Sequence, residues 1–300
     1  LLPGVMFGAD HPYGGSFTGS GTAESIGDIT PLDLKNFHAT WFKPGSATLV
    51  VVGDTTLEDL TALLERALGK WKSGRAPTKT IPDVSDLSSS EVYLVDRPGA
   101  PQSYIYAAQV APAFEPDSEW AIDAANTVFG GSFTSRINMN LREDKHWSYG
   151  ARSRISPLKS QRAFIVSAGV QTDKSKESLV EVQRELKEIL TSNPVTADGL
   201  SKIKQNKVQR LAGRWETLDA VKRELRQMVA FNLSDDYYGT YSENLESLTL
   251  SEVRDAASDF IKPESLIWLV VGDLEKIESG IEELGLGTKF VVDGDGKIVE

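Results

Sequence analysis

Apolar residues recur along the chain at helical spacing in some stretches and as short unbroken runs in others. Leu34, Phe37 and Trp41 follow Thr30 at helical spacing, and Val253, Ala256, Ala257 and Phe260 follow Thr249 in the same way. Each Thr stands three residues before an acid, Asp33 or Glu252, the capping-box pattern that satisfies the first free amides of a helix. Pro44 and Pro263 stop both helices, because the residue before proline is pushed out of the α region. Each helix is therefore expected to turn one apolar face to a core. An apolar run follows each, 47–52 and 266–271, and reads as a buried strand ending at Gly53-Asp54 or Gly272-Asp273. Leu57, Leu60, Leu64 and Leu68 predict a further amphipathic helix closed by Gly69.

These two stretches are copies. Residues 29–54 align with 248–273 without a gap at a constant offset of 219, and eight of the 26 positions are identical, among them Lys43-Pro44 with Lys262-Pro263 and Val51 to Asp54 with Val270 to Asp273. The second copy belongs to a complete unit that starts near residue 91, whereas the counterparts of residues 91–219, 129 positions, are missing before the first copy. The expected organisation is a remnant of a first unit over 1–75, an irregular linker over 76–90, a complete second unit over 91–288 and a tail hairpin over 289–300. Within the second unit, 91–96 and 103–110 read as strands, 117–130 and 132–145 as helices, and 147–155 and 163–171 as a strand pair. The apolar stripe Leu179, Val182, Leu186, Ile189 and Leu190 marks another helix. Blocks of strands and helices rather than strict alternation predict an α+β fold of duplicated units, the first incomplete, with helices packed on a mostly antiparallel sheet.

Composition narrows the function. The 43 acidic against 32 basic residues give a net charge of −11, which disfavours general nucleic-acid binding, since phosphate neutralisation by Lys and Arg supplies most of that affinity. No apolar run approaches the ~20 residues that cross a bilayer, so no membrane contact is expected. Zero cysteines exclude thiol chemistry and Cys-based zinc sites, and suit a bacterial periplasmic or cytosolic setting while leaving the compartment open. The start, Leu1 to Val5, lacks Met and a charged region and reads as an internal start.

Most chemistry-bearing residues have plain readings. His11, His38 and His146 lack the spacing of a metal site, and His38 sits structurally on a capped helix. Gly19-Ser20-Gly21 has no preceding strand or following Lys-Ser/Thr, so it is not a phosphate loop. Asp293-Gly294-Asp295-Gly296 reads as a hairpin turn, and the basic run Lys202, Lys204, Lys207, Arg210 and Arg214 as a solvated helix face. The segment 130–150 says more. Phe133, Ile137 and Leu141 form a stripe that puts Arg142 near a helix end, and Tyr149 lies in the strand beyond. A helix-to-strand turn can bring a guanidinium and a phenol to one point, where two donors would hold a carbonyl oxygen gaining negative charge. From spacing alone the simpler reading stands beside it: an Arg complementing a helix C-terminus and a Tyr filling a sheet face.

His11-Pro12-Tyr13-Gly14, the Ile29 to Asp54 stretch, and Leu141-Arg142-Glu143 with Ser148-Tyr149-Gly150 together resemble the pitrilysin, insulysin and mitochondrial processing peptidase family of zinc metallopeptidases. The resemblance extends over nearly the whole chain. It implies paired α+β units enclosing a chamber where peptides are cut, with zinc held by an inverted His-x-x-Glu-His motif plus a further Glu. That motif occurs nowhere here, so no cofactor is expected in this chain, zinc is expected in the complete enzyme, and the chain alone is expected to be inactive. What the resemblance carries over is Arg142 and Tyr149 as the pair that binds and polarises the scissile carbonyl, while His146 receives no role. The implied partners are an unstructured peptide, met partly by strand addition at a sheet edge, and a partner subunit or N-terminal half carrying the zinc motif. The alternative is a catalytically inactive member acting as a structural or assembly subunit.

Overall fold

The computed structural model describes residues 1–16 and 18–299. Helices α1 Leu2–Phe7, α2 Ala23–Asp28, α3 Pro31–Trp41 and α4 Leu57–Leu68 come first, then strands β1 Glu91–Asp96 and β2 Gln102–Ala111. Next are α5 Pro116–Asn126, α6 Arg136–Asn138, β3 Ser148–Ile155, β4 Arg162–Gln171, α7 Ser175–Glu188, α8 Ala197–Leu211 and α9 Leu218–Phe231. The chain closes with α10 Tyr241–Ser247, α11 Leu250–Phe260, β5 Ile267–Gly272, α12 Leu274–Glu282 and β6 Thr288–Val292. Two compact units result: a larger one of Leu1–Phe17, Pro82–Asn206 and Thr240–Glu300, and a smaller one of Thr18–Ile81 and Lys207–Gly239.

The larger unit is α+β, built on a six-stranded sheet in the order β3-β4-β2-β5-β1-β6. The sheet is mixed rather than mostly antiparallel: β3, β4, β2 and β5 run antiparallel in turn, but β1 is parallel to both β5 and β6. Helical crossovers make this possible, since only a hairpin forces its two strands to oppose. Alternation along the strands sends one set of side chains to each face. On one face α5, α7, α11 and α12 bury Ile105, Phe164, Val166, Val182, Phe260 and Trp268. On the other, Leu2, Met6 and Phe7 of α1 cover Val95, Ala108, Ile165 and Leu269.

His11 fixes how the chain leaves α1. Its ring stacks on Phe7, its Nε2–H donates to the Pro82 carbonyl at 2.8 Å and its Nδ1 accepts from the Tyr13 amide at 3.0 Å, which sets the tautomer. Both sheet edges are partly closed. The tail folds back on β6 through Val299 N–H to Val291 O at 2.8 Å and a Val292–Ile298 bridge, as its Asp-Gly turns predict; Glu300 lies outside the described residues. On β3, the Ala151 amide donates to Asn138 Oδ1 at 3.0 Å, which removes one donor from the row that an added strand would use.

The structure shows no duplicated unit, but the capping boxes form in both aligned stretches, with Thr30 and Asp33 on α3 and Thr249 and Glu252 on α11, each helix 11 residues long. The surroundings of the copies differ. Val253 and Ala256 of α11 are buried, but their counterparts Leu34 and Phe37 are 60% and 57% exposed, so α3 turns its apolar face to solvent and not to a core. Residues 47–52, expected as a buried strand, form none, and Leu49 is 59% exposed where its counterpart Trp268 is fully buried. A strand persists only where neighbours take its backbone groups, and the smaller unit has no strand among its described residues to do so.

Candidate functional site

The expected helix over 132–145 forms over residues 136–144, most of it π-type. A π-type turn at Thr127–Gly131 ends α5, and after the three-residue α6 a second one, Met139–Asp144, carries Arg142. Ile137 and Leu141 are fully buried and anchor this segment, while Phe133, placed in the same stripe by its spacing, is 60% exposed. Side-chain hydrogen bonds tie this segment to its surroundings. Asn138 Nδ2 donates to the Phe133 carbonyl at 2.6 Å, and Asn140 Nδ2 donates to Glu181 at 2.6 Å and to Glu185 at 2.9 Å. Arg136 holds the same Glu185 through Nε at 3.0 Å and Nη2 at 2.7 Å. Burial alone would raise the Glu181 carboxyl, but hydrogen bonds from Arg184 and Asn140 and the charges of Arg184 and Lys145 hold it below the ordinary carboxylate range.

Gly130 sets the approach of this segment to β3. A Cβ on it would lie 2.3 Å from the Ser153 amide nitrogen, so only glycine fits. Between the second π-type turn and β3, His146 adopts a left-handed backbone with φ 58, and its Nδ1–H donates to the Arg142 carbonyl at 3.0 Å.

Arg142 and Tyr149 line one open concavity of about 410 Å³, together with Gln102, His146 and Gln171. The Arg142 guanidinium lies 4.6 Å from the Phe133 ring and 3.3 Å from the Glu143 carboxylate, and its side chain is 40% exposed. Tyr149 is 89% exposed, and its hydroxyl has no partner among the described residues. Both residues thus border one solvent-accessible hollow, and both side chains can donate hydrogen bonds. Spacing gives His146 no role and places Phe133 in the buried stripe rather than at the hollow. A non-glycine left-handed residue leaves no sequence signal, and Phe133 matches the helical period although the helix begins only at Arg136.

The residues present do not fit a zinc site. Among the described residues no group of three or more His, Asp or Glu could hold a metal. The three histidines lie apart, His11 bonded to the Pro82 carbonyl, His38 stacked on Phe42 and His146 bonded to the Arg142 carbonyl.

Residues 28–207 match the Peptidase M16 inactive domain. Zinc protease PqqE of Helicobacter pylori is 23% identical over 256 residues, 84% of the chain and 56% of that protein. The non-peptidase homolog YmxG of the same organism is 24% identical over 263 residues, 85% of the chain and 59% of that protein. The chain thus spans just over half the length of these relatives. The crystal structure of a peptidase M16 inactive domain from Pseudomonas fluorescens superposes with a TM-score of 0.80 at 25% identity, over 90% of this chain and 63% of that one. No helix among the described residues is long and apolar enough to cross a membrane. With the inactive-domain match running over more than half of its length and the fold in agreement, the chain belongs to the peptidase M16 family.

Proposed function

We propose that this chain is the metal-free part of a peptide-cutting assembly, in which the Arg142 guanidinium and the Tyr149 hydroxyl donate to the carbonyl oxygen of an unstructured peptide and polarise it. The metal-bearing residues belong to another segment or to a partner subunit. The observation that carries this reading is the shared concavity: two donor residues line one open hollow, and among the described residues the phenol has no partner and the guanidinium is met by a surface acid and an aromatic face. Such donors act on charge that grows in the transition state, and losing one costs about 100 to 1000-fold where it is well aimed.

Peptide hydrolysis by the full-length protein, measured with and without a chelator, tests this. Arg142→Ala and Tyr149→Phe are each expected to lower turnover by about 10 to 1000-fold. Unchanged turnover in both removes the role.

A second reading, a structural or assembly subunit without catalysis, is favoured by α3. Its exposed Leu34 and Phe37 match buried positions of α11, which supports a first unit, 1–75, whose sheet is supplied from elsewhere, then a linker over 76–90, a second unit over 91–288 and a tail over 289–300. Under that reading the full-length protein assembles with its partner but shows no chelator-sensitive hydrolysis.

A further inference from the structure

Beside the Arg142–Tyr149 hollow lies a larger one of about 630 Å³, lined among others by Tyr104, Tyr106, Phe133, Arg152, Arg154 and Ser167. Strand alternation builds it. Arg152 and Arg154 are two apart on β3, Tyr104 and Tyr106 two apart on β2, and such pairs project to one face. Register sets Arg152 opposite Ser167 and Ser167 opposite Tyr106, so these three form one row across the sheet. Tyr104 stands opposite Gly169, where a Cβ would come 3.3 Å from its ring, so the glycine keeps the floor low.

The charge of this hollow runs against the net charge of the chain. In a chain of net charge −11, its lining contains no carboxylate, and its two charged residues are both arginines. Neither guanidinium has a side-chain partner among the described residues, whereas Arg136, Arg162 and Arg184 each hold a glutamate. Two like charges on one strand face repel, and a carboxylate between them relieves that repulsion while matching the planar guanidinium fork. Phe133 joins the two hollows, because its ring lines this one and packs on Arg142 of the other.

We propose that this hollow is a subsite for an acidic side chain: Arg152 and Arg154 take the carboxylate of a Glu or Asp in an extended peptide, and Tyr104 and Tyr106 pack on its neighbours. The assignment rests on the peptide-carbonyl reading above. A bulge between Ser148 and Ala151 shortens β3 by about one residue, so at roughly 3.3 Å per residue Arg152 and Arg154 lie about 7 and 13 Å along the strand from Tyr149, and the acid falls about two to four residues from the held carbonyl.

Fluorescence anisotropy on the full chain at low ionic strength tests this, with two labelled unstructured peptides that differ only in Glu against Gln at those positions. The Glu peptide is expected to bind about 10-fold tighter or more. In the Arg152→Gln/Arg154→Gln variant that difference should shrink to about 2-fold or less, and in the unaltered chain it should shrink with added salt, a readout independent of how the variant folds. Arg142→Ala should weaken both peptides alike. Equal binding of the two peptides by the unaltered chain overturns the subsite, as does a Glu preference that survives in the double variant or in high salt. If neither peptide binds, the carbonyl reading falls with it. A Glu preference that depends on Arg152 and Arg154 but not on Arg142 or Tyr149 leaves the subsite and removes the carbonyl reading.

Discussion

The imidazole of His146 donates from Nδ1 to the carbonyl oxygen of Arg142, four residues back, at 3.0 Å. This bond closes the turn between the two donors of the candidate site. It forms on a residue whose φ of 58 costs an L-amino acid about 1–2 kcal/mol outside glycine, less for Asn or His. His146→Gly and His146→Asn are therefore expected to keep the turn. His146→Val should lower unfolding free energy by about 1–2 kcal/mol in urea titration and weaken peptide binding with it.

Gly130 meets β3 at the Ser153 backbone, which cannot move aside as a flexible side chain can. Gly130→Ala is expected to cost about 3 kcal/mol or more, as overpacking against backbone does, and to lower the thermal midpoint by several degrees. Gly27→Ala, at a helical glycine whose added Cβ would meet nothing within 4 Å, is the control and should be neutral or mildly stabilising.

Asn140 ties the Arg142-bearing turn to α7 through Glu181 and Glu185. Asn140→Ala leaves the buried Glu185 short of a donor and should cost about 1–3 kcal/mol. Lys202→Ala breaks a pair with Asp198 whose side chains are 69% and 74% exposed, and should change stability by no more than about 0.5 kcal/mol.

Stability should fall on acidification in part through Glu181. Its folded-state carboxyl is lowered, so it binds a proton more readily in the unfolded chain. The stabilisation is then fully present above the unfolded value of about 4.3 and is lost as pH falls through the lowered folded value. Denaturation midpoints measured from neutral to acidic pH should show a shallower decline for Glu181→Gln than for the unaltered chain. An identical decline would assign the acid sensitivity to other carboxylates.

The features legible in the sequence are those decided by near neighbours. Thr30 with Asp33 and Thr249 with Glu252 announce their capping boxes three residues apart, and both form. The strands β1 to β4 carry their period within single short runs. What failed depends on distant chain. Residues 47–52 look as strand-like as 266–271, but pairing is decided by neighbours far off in sequence, and only the second run has them. Likewise the parallel direction of β1 to β5 and β6 is set by crossovers, not by any residue in the strands. In the candidate site, the family likeness points to Arg142 and Tyr149. Arg152 and Arg154 carry no such sequence signal, because their lack of partners is visible only once the surrounding side chains are in place.

The run Ala47-Thr48-Leu49-Val50-Val51-Val52 bears no charge and no proline, is rich in β-branched residues, and stands uncovered. Six such residues suffice to stack in register with their own kind. In concentrated solution this chain on its own is therefore a candidate for ordered self-association, visible as thioflavin fluorescence, and a single lysine at Val51 would act as a gatekeeper against it.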